Sequence, residues 1–217
     1  MRPVAVLRPE PGNAATAARI EALGLDAIRL PLFAVAPVAW DCPDPAAHDA
    51  VLLTSANAVR HGGAGLERLH ALPVFAVGAA TARAARDAGF DVALTGNADA
   101  AALLAAAKAS GVTRGLHLGG RERTVMVGGP VSAAITVYAS DAVPEVDLAP
   151  LQGSVALLHS ARAARRLAAL AVDRGDIRLA VLSEALVVAA GSGWDRIAVA
   201  GAPDDQALLA AACALAD

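Results

Sequence analysis

The chain has 217 residues, enough for one large domain or two small ones, with 18 Lys and Arg against 21 Asp and Glu for a net charge of −3 at pH 7. Its apolar fraction of 56% and mean hydropathy of +0.51 come mostly from alanine, and no window approaches the ~18 uncharged apolar residues that a spanning helix needs. These balances exclude a membrane-spanning chain and a basic nucleic-acid-binding surface, and Arg8 interrupts the first apolar run too early for a signal peptide, so the expected location is the cytoplasm.

The first apolar run, Val4-Ala-Val-Leu7, ends in a Pro/Gly/Asn cluster and reads as a buried strand followed by a turn. Residues 14–23 have helical periodicity, stopped by Gly24. Residues 26–38 form a longer extended stretch that Pro31 and Pro37 restrict to edge or linker roles. Residues 50–53 are the next strand, and Ser55 stands where a helix N-cap belongs. Then follow a strand at 73–77, a helix at 79–88 stopped by Gly89, a strand at 91–94 and an alanine-rich helix at 99–110 with Asp99 in its first turn. The second half repeats the order, with strands at 116–118, 134–143, 155–158, 179–182 and 197–199 and helical stretches between them. Strands alternating with helices of this length predict an α/β fold with parallel sheets and right-handed crossovers. Residues 144–153 are polar and proline-broken and read as a linker, with 40–47 as their counterpart in the first half.

The two halves are also similar as text. Val51-Leu-Leu-Thr-Ser-Ala-Asn-Ala returns as Val155-Ala-Leu-Leu-His-Ser-Ala-Arg-Ala, so that Ser55 falls over Ser160, 105 residues on. Gly78 over Ser183, Gly96 over Gly201 and Leu103-Leu104 over Leu208-Leu209 keep the same distance. A unit this long is a duplicated domain rather than a solenoid repeat, and a duplicated domain usually places its working site between the copies.

In open α/β sheets ligands bind beyond the carboxyl ends of the strands. Those ends carry Arg8, then Thr54, Ser55 and Asn57, then Gly78 and Thr81, then Gly119, Gly120 and Arg121; the second copy adds His159, Ser160, Arg162, Ser183 and Glu184. Hydroxyls, glycines and arginines with few acids suit a ligand bearing carboxylates or phosphates. Each also has a plainer reading: Ser55 and Ser160 as helix caps, Gly78 and Gly119-Gly120 as tight strand-to-helix turns. A dinucleotide fingerprint at Gly119-Gly120-Arg-Glu-Arg-Thr lacks the third glycine and the downstream acid. His48, His61 and His70 have no partner at metal-ligand spacing, and Cys42 and Cys213 are isolated. His159 and Ser160, as strand neighbours, point to opposite faces and make no nucleophile–base pair.

Taken in order, these motifs resemble those of the uroporphyrinogen-III synthase family nearly end to end. Val6-Leu-Arg-Pro9 and Leu30-Pro-Leu32 resemble its opening, Leu53-Thr-Ser-Ala-Asn-Ala-Val59 its Thr-Ser strand-to-helix motif, and Val77-Gly-Ala-Ala-Thr-Ala82 its Val-Gly-x-x-Thr-Ala motif. Thr136-Val-Tyr138 matches its crossover strand, Leu158-His-Ser160 its later Ser-bearing strand, and 200–209 its closing segment. The resemblance implies a cofactor-free, metal-free lyase of tetrapyrrole (heme) biosynthesis that cyclises hydroxymethylbilane to uroporphyrinogen III with ring D inverted. It implies a monomer that takes its substrate from the upstream deaminase. Tyr138, the chain's single tyrosine, is the expected catalytic donor, with an interdomain packing aromatic as its plainer reading; Arg8, Thr54, Ser55, Asn57, Gly78, Thr81, Gly120, Arg121, Ser160 and Ser183 are the expected substrate contacts.

The resemblance also implies discontinuous domains, residues 1–33 with 150–217 and residues 41–135, joined by paired β crossovers at 34–40 and 136–149 able to act as a hinge. One departure stands out. The second copy has Leu182-Ser-Glu-Ala-Leu-Val187 where the family has a Gly-x-x-Thr-Ala-like turn, which removes a threonine and admits Glu184. This opens an alternative, a non-catalytic tetrapyrrole or carboxylate binder derived from the synthase.

Overall fold

Apolar runs bounded by Gly, Pro and polar residues become short strands in the computed structural model, which describes residues 1–96 and 99–217. The first half of the chain supplies β1 (Val4–Val6), α1 (Gly12–Ala22), β2 (Ala27–Arg29), β3 (Phe33–Pro37), β4 (Ala50–Leu53), α2 (Ala56–His61), β5 (Val74–Val77), α3 (Gly78–Asp87), β6 (Val92–Gly96) and α4 (Ala100–Ala109). The second supplies β7 (Gly115–Gly120), β8 (Val131–Ala142), β9 (Val155–Leu158), α5 (Ala161–Leu170), β10 (Arg178–Val181), α6 (Glu184–Ala190), β11 (Arg196–Val199) and α7 (Asp205–Ala216). The architecture is α/β, with helices flanking two sheets of mainly parallel strands.

The chain divides into two units, Met1–Ala34 with Asp141–Asp217, and Val35–Ser140. In the first unit five parallel strands lie in the order β11-β10-β9-β1-β2. Their apolar runs are continuous because both faces are covered. Leu7, Leu158 and Val181 turn toward α5 and α6, whereas Val6, Leu157 and Ala180 turn toward α1 and α7. In the second unit the order is β3-β8-β7-β4-β5-β6, with Leu53, Leu116 and Leu118 packed toward α2 and α3 and Leu52 and Phe75 toward α4.

Each copy lends its first strand to the other copy's sheet. β1 pairs with β9, Val4 against Val155 and Val6 against Leu157. β7 pairs with β4, Gly115 against Ala50 and Leu118 against Leu53. Parallel pairing needs a crossover between neighbouring strands, and here the crossover is most of the duplicated unit.

One expectation is corrected. The second half does not repeat the helix that follows the first strand: residues 121–130 are a loop, since Gly128 (φ +141°) and Gly129 (φ +56°), followed by Pro130, leave no helical turn. The sheets are mainly parallel, as expected, with one antiparallel pair of neighbours at the edge of the second. Val38 N–H donates to Val137 O at 3.0 Å and Val143 N–H to Leu32 O at 3.1 Å, so β3 and β8 run in opposite directions. The prolines act as their positions imply: β2 and β3 are both edge strands.

Leu158 on β9 is fully buried. Leu158→Ala should lower unfolding free energy by about 2–5 kcal/mol. Urea denaturation checks this, and an unchanged midpoint would mean that the first unit's core collapses around the missing side chain.

Candidate active site

Parallel strands end together, so the carboxyl ends of β4, β5 and β7 form one rim in the second unit. A hollow of about 700 Å³ opens there, lined by Thr54, Ser55, Gly120, Arg123, Thr124 and Tyr138 among others. Three of these rim side chains are hydroxyl-bearing expected site residues, drawn from β4, the start of α2 and β8. Tyr138 is half-buried, its ring centroid 6.3 Å from that of His61.

Gly119 and Gly120 are strand residues, so the plainer reading of this pair as a strand-to-helix turn does not hold. A Cβ on Gly120 would lie 2.9 Å from the Tyr138 ring, and one on Gly119 would lie 2.5 Å from His117 Cε1. Each glycine is the space that one ring occupies. His117 is completely buried, and its Nε2 lies 3.2 Å from Thr54 Oγ1. Burial first, and then the charge of Arg123, push its pKa from 6.5 down to about 4, so the ring is neutral at physiological pH.

Arg123, which the motif analysis passed over in favour of Arg121, reaches the rim on three bonds. It donates to Thr136 Oγ1 (2.6 Å), Gly120 O (3.1 Å) and Ala134 O (3.3 Å). Arg121 is exposed, and its backbone N–H donates to Tyr138 O at 2.9 Å. The loop carrying both is anchored by buried Val125.

The remaining expected contacts of this unit are more structural. Ser55 Oγ caps α2 by accepting from Asn57 N–H at 3.2 Å, and Asn57 Oδ1 accepts from Arg60. Gly78, at φ +75°, opens α3 with a backbone that favours glycine. Thr81 is buried inside α3, 5% exposed. Its counterpart Leu186 is 8% exposed and belongs to the first unit's core. The missing threonine of the second copy is therefore a core exchange of hydroxyl for apolar side chain, with Glu184 exposed in the first turn of α6.

In the first unit, Ser160 Oγ caps α5, accepting from Ala163 N–H at 3.2 Å, and Ser183 occupies the N-cap position of α6 without a side-chain capping bond. Arg8 enters a cluster that sequence reasoning missed. Buried Asn13 holds its loop, donating to Val6 O (2.7 Å) and Arg8 O (3.0 Å). The Arg8 guanidinium lies over Gly12, whose Cβ would fall 2.5 Å from Nε. Its Nη1 donates to Asp205 Oδ1 at 3.3 Å.

Arg19, Thr16 Oγ1 (3.1 Å) and His159 Nε2 (2.8 Å) converge on the same carboxylate. Burial opposes ionisation of Asp205, but the hydrogen bond and charge of His159, with Thr16 and Arg8, outweigh it and hold the carboxyl below its usual 3.8. Burial lowers the His159 pKa, against the pull of Asp205. His159, expected to make no nucleophile–base pair with Ser160, has its partner 46 residues away.

A second hollow, of about 780 Å³, lies against α1 and α7, with Leu23, Leu209, Ala210 and Cys213 in its walls. Arg19, Asp204, Asp205 and Gln206 also line it, and Arg19 is already engaged by Asp205, so the carboxylate of Asp204 opposes an anionic ligand there. Among the described residues no group of three or more His, Cys, Asp or Glu is placed to hold a metal ion, Cys42 and Cys213 are free thiols, and no helix is long and apolar enough to cross a membrane.

The family model described as Uroporphyrinogen-III synthase HemD matches residues 14–210. Among solved structures the chain is similar to the uroporphyrinogen-III synthetase of Helicobacter pylori 26695, with a TM-score of 0.68 and 16% identity over 99% of this chain and 100% of the other. It is also similar to a mutant uroporphyrinogen III synthase of the extremely thermophilic bacterium Thermus thermophilus, with a TM-score of 0.52 and 16% identity over 98% of each chain. At these identities the likeness is one of fold. No curated protein matches the chain.

The depressed pKa of Asp205 carries a signed consequence. A carboxylate held below 3.8 stabilises the folded state above that pH, and the contribution disappears as pH falls through the depressed value. Asp205→Asn should therefore be less stable than the parent at pH 7, with the gap closing below pH 3.8. Urea midpoints across that range test this; a gap that stays constant with pH would show that the charge of Asp205 is not what the cluster uses.

Proposed function

Because the chain belongs to the uroporphyrinogen-III synthase family, we propose that it cyclises hydroxymethylbilane to uroporphyrinogen III. The observation that carries this reading is the family match across residues 14–210. Tyr138 Oη donates to the terminal hydroxyl as it leaves, so that oxygen departs as water and an electrophilic azafulvene remains. The far pyrrole ring attacks through its substituted carbon and forms a spiro intermediate. This fragments at the adjacent methylene and recloses with ring D inverted, and the ring proton lost as the pyrrole is restored makes good the one that Tyr138 gave up.

Little of this requires covalent participation by the protein; positioning dominates. Hydroxymethylbilane carries eight carboxylates, and the protein is itself net negative, so recognition is local. Thr54, Ser55 and Thr124 supply neutral donors at the Tyr138 hollow, and Arg123 supplies positive charge. Tyr138 is well suited to donate because Gly120 leaves its ring a fixed seat. Arg8, Asn57, Gly78, Thr81, Arg121, Ser160 and Ser183 remain proposed contacts, with Arg8 oriented by Asp205. We place the reaction in the cytoplasm, carried out by a monomer that receives the bilane from the upstream deaminase.

The alternative of a non-catalytic binder drew on the altered turn at Ser183–Leu186. Leu186 is buried in the first unit's core, so the altered turn bears on packing there and leaves the proposed contacts of the first copy, Thr81 among them, in place.

The test generates hydroxymethylbilane with the deaminase, adds this protein and separates the oxidised uroporphyrin isomers. Type III product is expected; type I alone, the outcome without enzyme, would overturn the reading. Tyr138→Phe should lower kcat by roughly 10²-fold or more, as loss of a proton donor does, with KM little changed. Unchanged kcat would remove Tyr138 from the chemistry.

A further inference from the structure

We propose that His117 is a positioning residue whose neutral imidazole, protonated on Nε2, donates to Thr54 and thereby turns the Thr54 hydroxyl proton into the hollow. The structural part stands alone; the role toward substrate rests on the synthase reading.

Strand alternation places His117 and Thr54 on the same side of the sheet, the α4 side. Leu52, the register partner of His117, packs toward α4, and Thr54 follows it by two residues. The ring is completely buried and seated in the space left by Gly119. Its Nε2 lies 3.2 Å from Thr54 Oγ1, and its Nδ1 is buried with no hydrogen-bond partner among the described residues.

Two neutral forms compete. With the proton on Nδ1, a buried donor is orphaned and Thr54 donates inward to Nε2. With the proton on Nε2, the donor is satisfied and only an acceptor lone pair is left over. Orphaned buried N–H groups are rarer and less tolerated than under-used acceptors. The second form therefore prevails. The charged form would add a second N–H at Nδ1 and bury a cation beside Arg123, whose charge acts against it.

A threonine hydroxyl has one proton. Once its oxygen accepts from His117, that proton points away from the ring, toward the rim that Thr54 shares with Tyr138 and Arg123. The hydroxyl becomes an oriented donor for an oxygen acceptor, and a substrate carboxylate is the class it fits. In the second copy the position equivalent to Thr54 is itself an imidazole, His159, whose Nε2 faces Asp205 and whose Nδ1 is without a partner among the described residues.

The first test needs no substrate. Long-range ¹H–¹⁵N spectra of the histidine-labelled full chain, with His117 assigned by its loss in His117→Gln, should show an Nε2-protonated neutral ring unchanged from pH 8 to pH 5.5. An Nδ1-protonated ring, or titration near pH 6.5, would overturn the proposal.

The second test is a double-mutant cycle on kcat/KM. Thr54→Val and His117→Phe should each lose roughly tenfold, the scale of one hydrogen bond to a charged group, and the double variant should lose little more than either. His117→Gln, which keeps a donor near Nε2, should restore most of the activity. Independent, multiplying losses would overturn the proposal. If the wild-type chain makes no type III product, the synthase reading fails separately and the spectrum decides the tautomer by itself.

Discussion

Parallel hydrogen bonding between strands from different copies is the constraint on which the molecule's organisation depends. β1 is held in register by β9, and β7 by β4, so each sheet joins strands from both copies. Parallel register also brings strand ends to a common side, which gathers Thr54, Gly120 and Tyr138 at one rim from positions 84 residues apart. Within each unit helix N-termini arrive at that same side of the sheet, capped by Ser55 in one and by Ser160 in the other.

Within that frame the two units use polar groups differently. The second unit sets a buried neutral imidazole behind a threonine and holds the guanidinium of Arg123 on carbonyls and a hydroxyl. The first gathers charge, with Arg8, Arg19 and His159 around the carboxylate of Asp205. Both arrangements avoid an uncompensated buried charge, and each fixes side-chain direction where a freely rotating group would not. The duplication has therefore kept the backbone more faithfully than the chemistry: β4 and β9 coincide at the fixed repeat distance, while Thr54 has become His159.

What was legible in the sequence followed physical range. β4 and β9 were readable to the residue because each is an apolar run with a polar boundary on both sides, and the Ser55 and Ser160 caps are local bonds spanning two or three residues. Asp205 was not legible, because its partners Arg8, Thr16 and Arg19 lie more than 180 residues away. His117 was hidden for the opposite reason. It sits between Leu116 and Leu118 inside an apolar run, where local pattern says strand and nothing about the ring's partner. The loop after β7 was misread as part of a repeated helix since repeat logic outran the Gly128-Gly129-Pro130 signal. The plainer reading of Gly119-Gly120 as a turn fails because adjacent glycines signal a turn more often than they signal room for two rings.

That pair of glycines has a consequence for how such a sequence can drift. Consecutive strand residues face opposite sides, so Gly119 leaves one side of β7 bare for an imidazole and Gly120 leaves the other bare for a phenol. Neither glycine can gain a side chain while its ring stays, and neither ring can shrink without opening a void beside a backbone that has nothing of its own to fill it. The two positions are thus locked to His117 and Tyr138 separately, one on each side. A descendant of this chain is free to exchange glycine and ring as a couple on one side while the other side is left as it was.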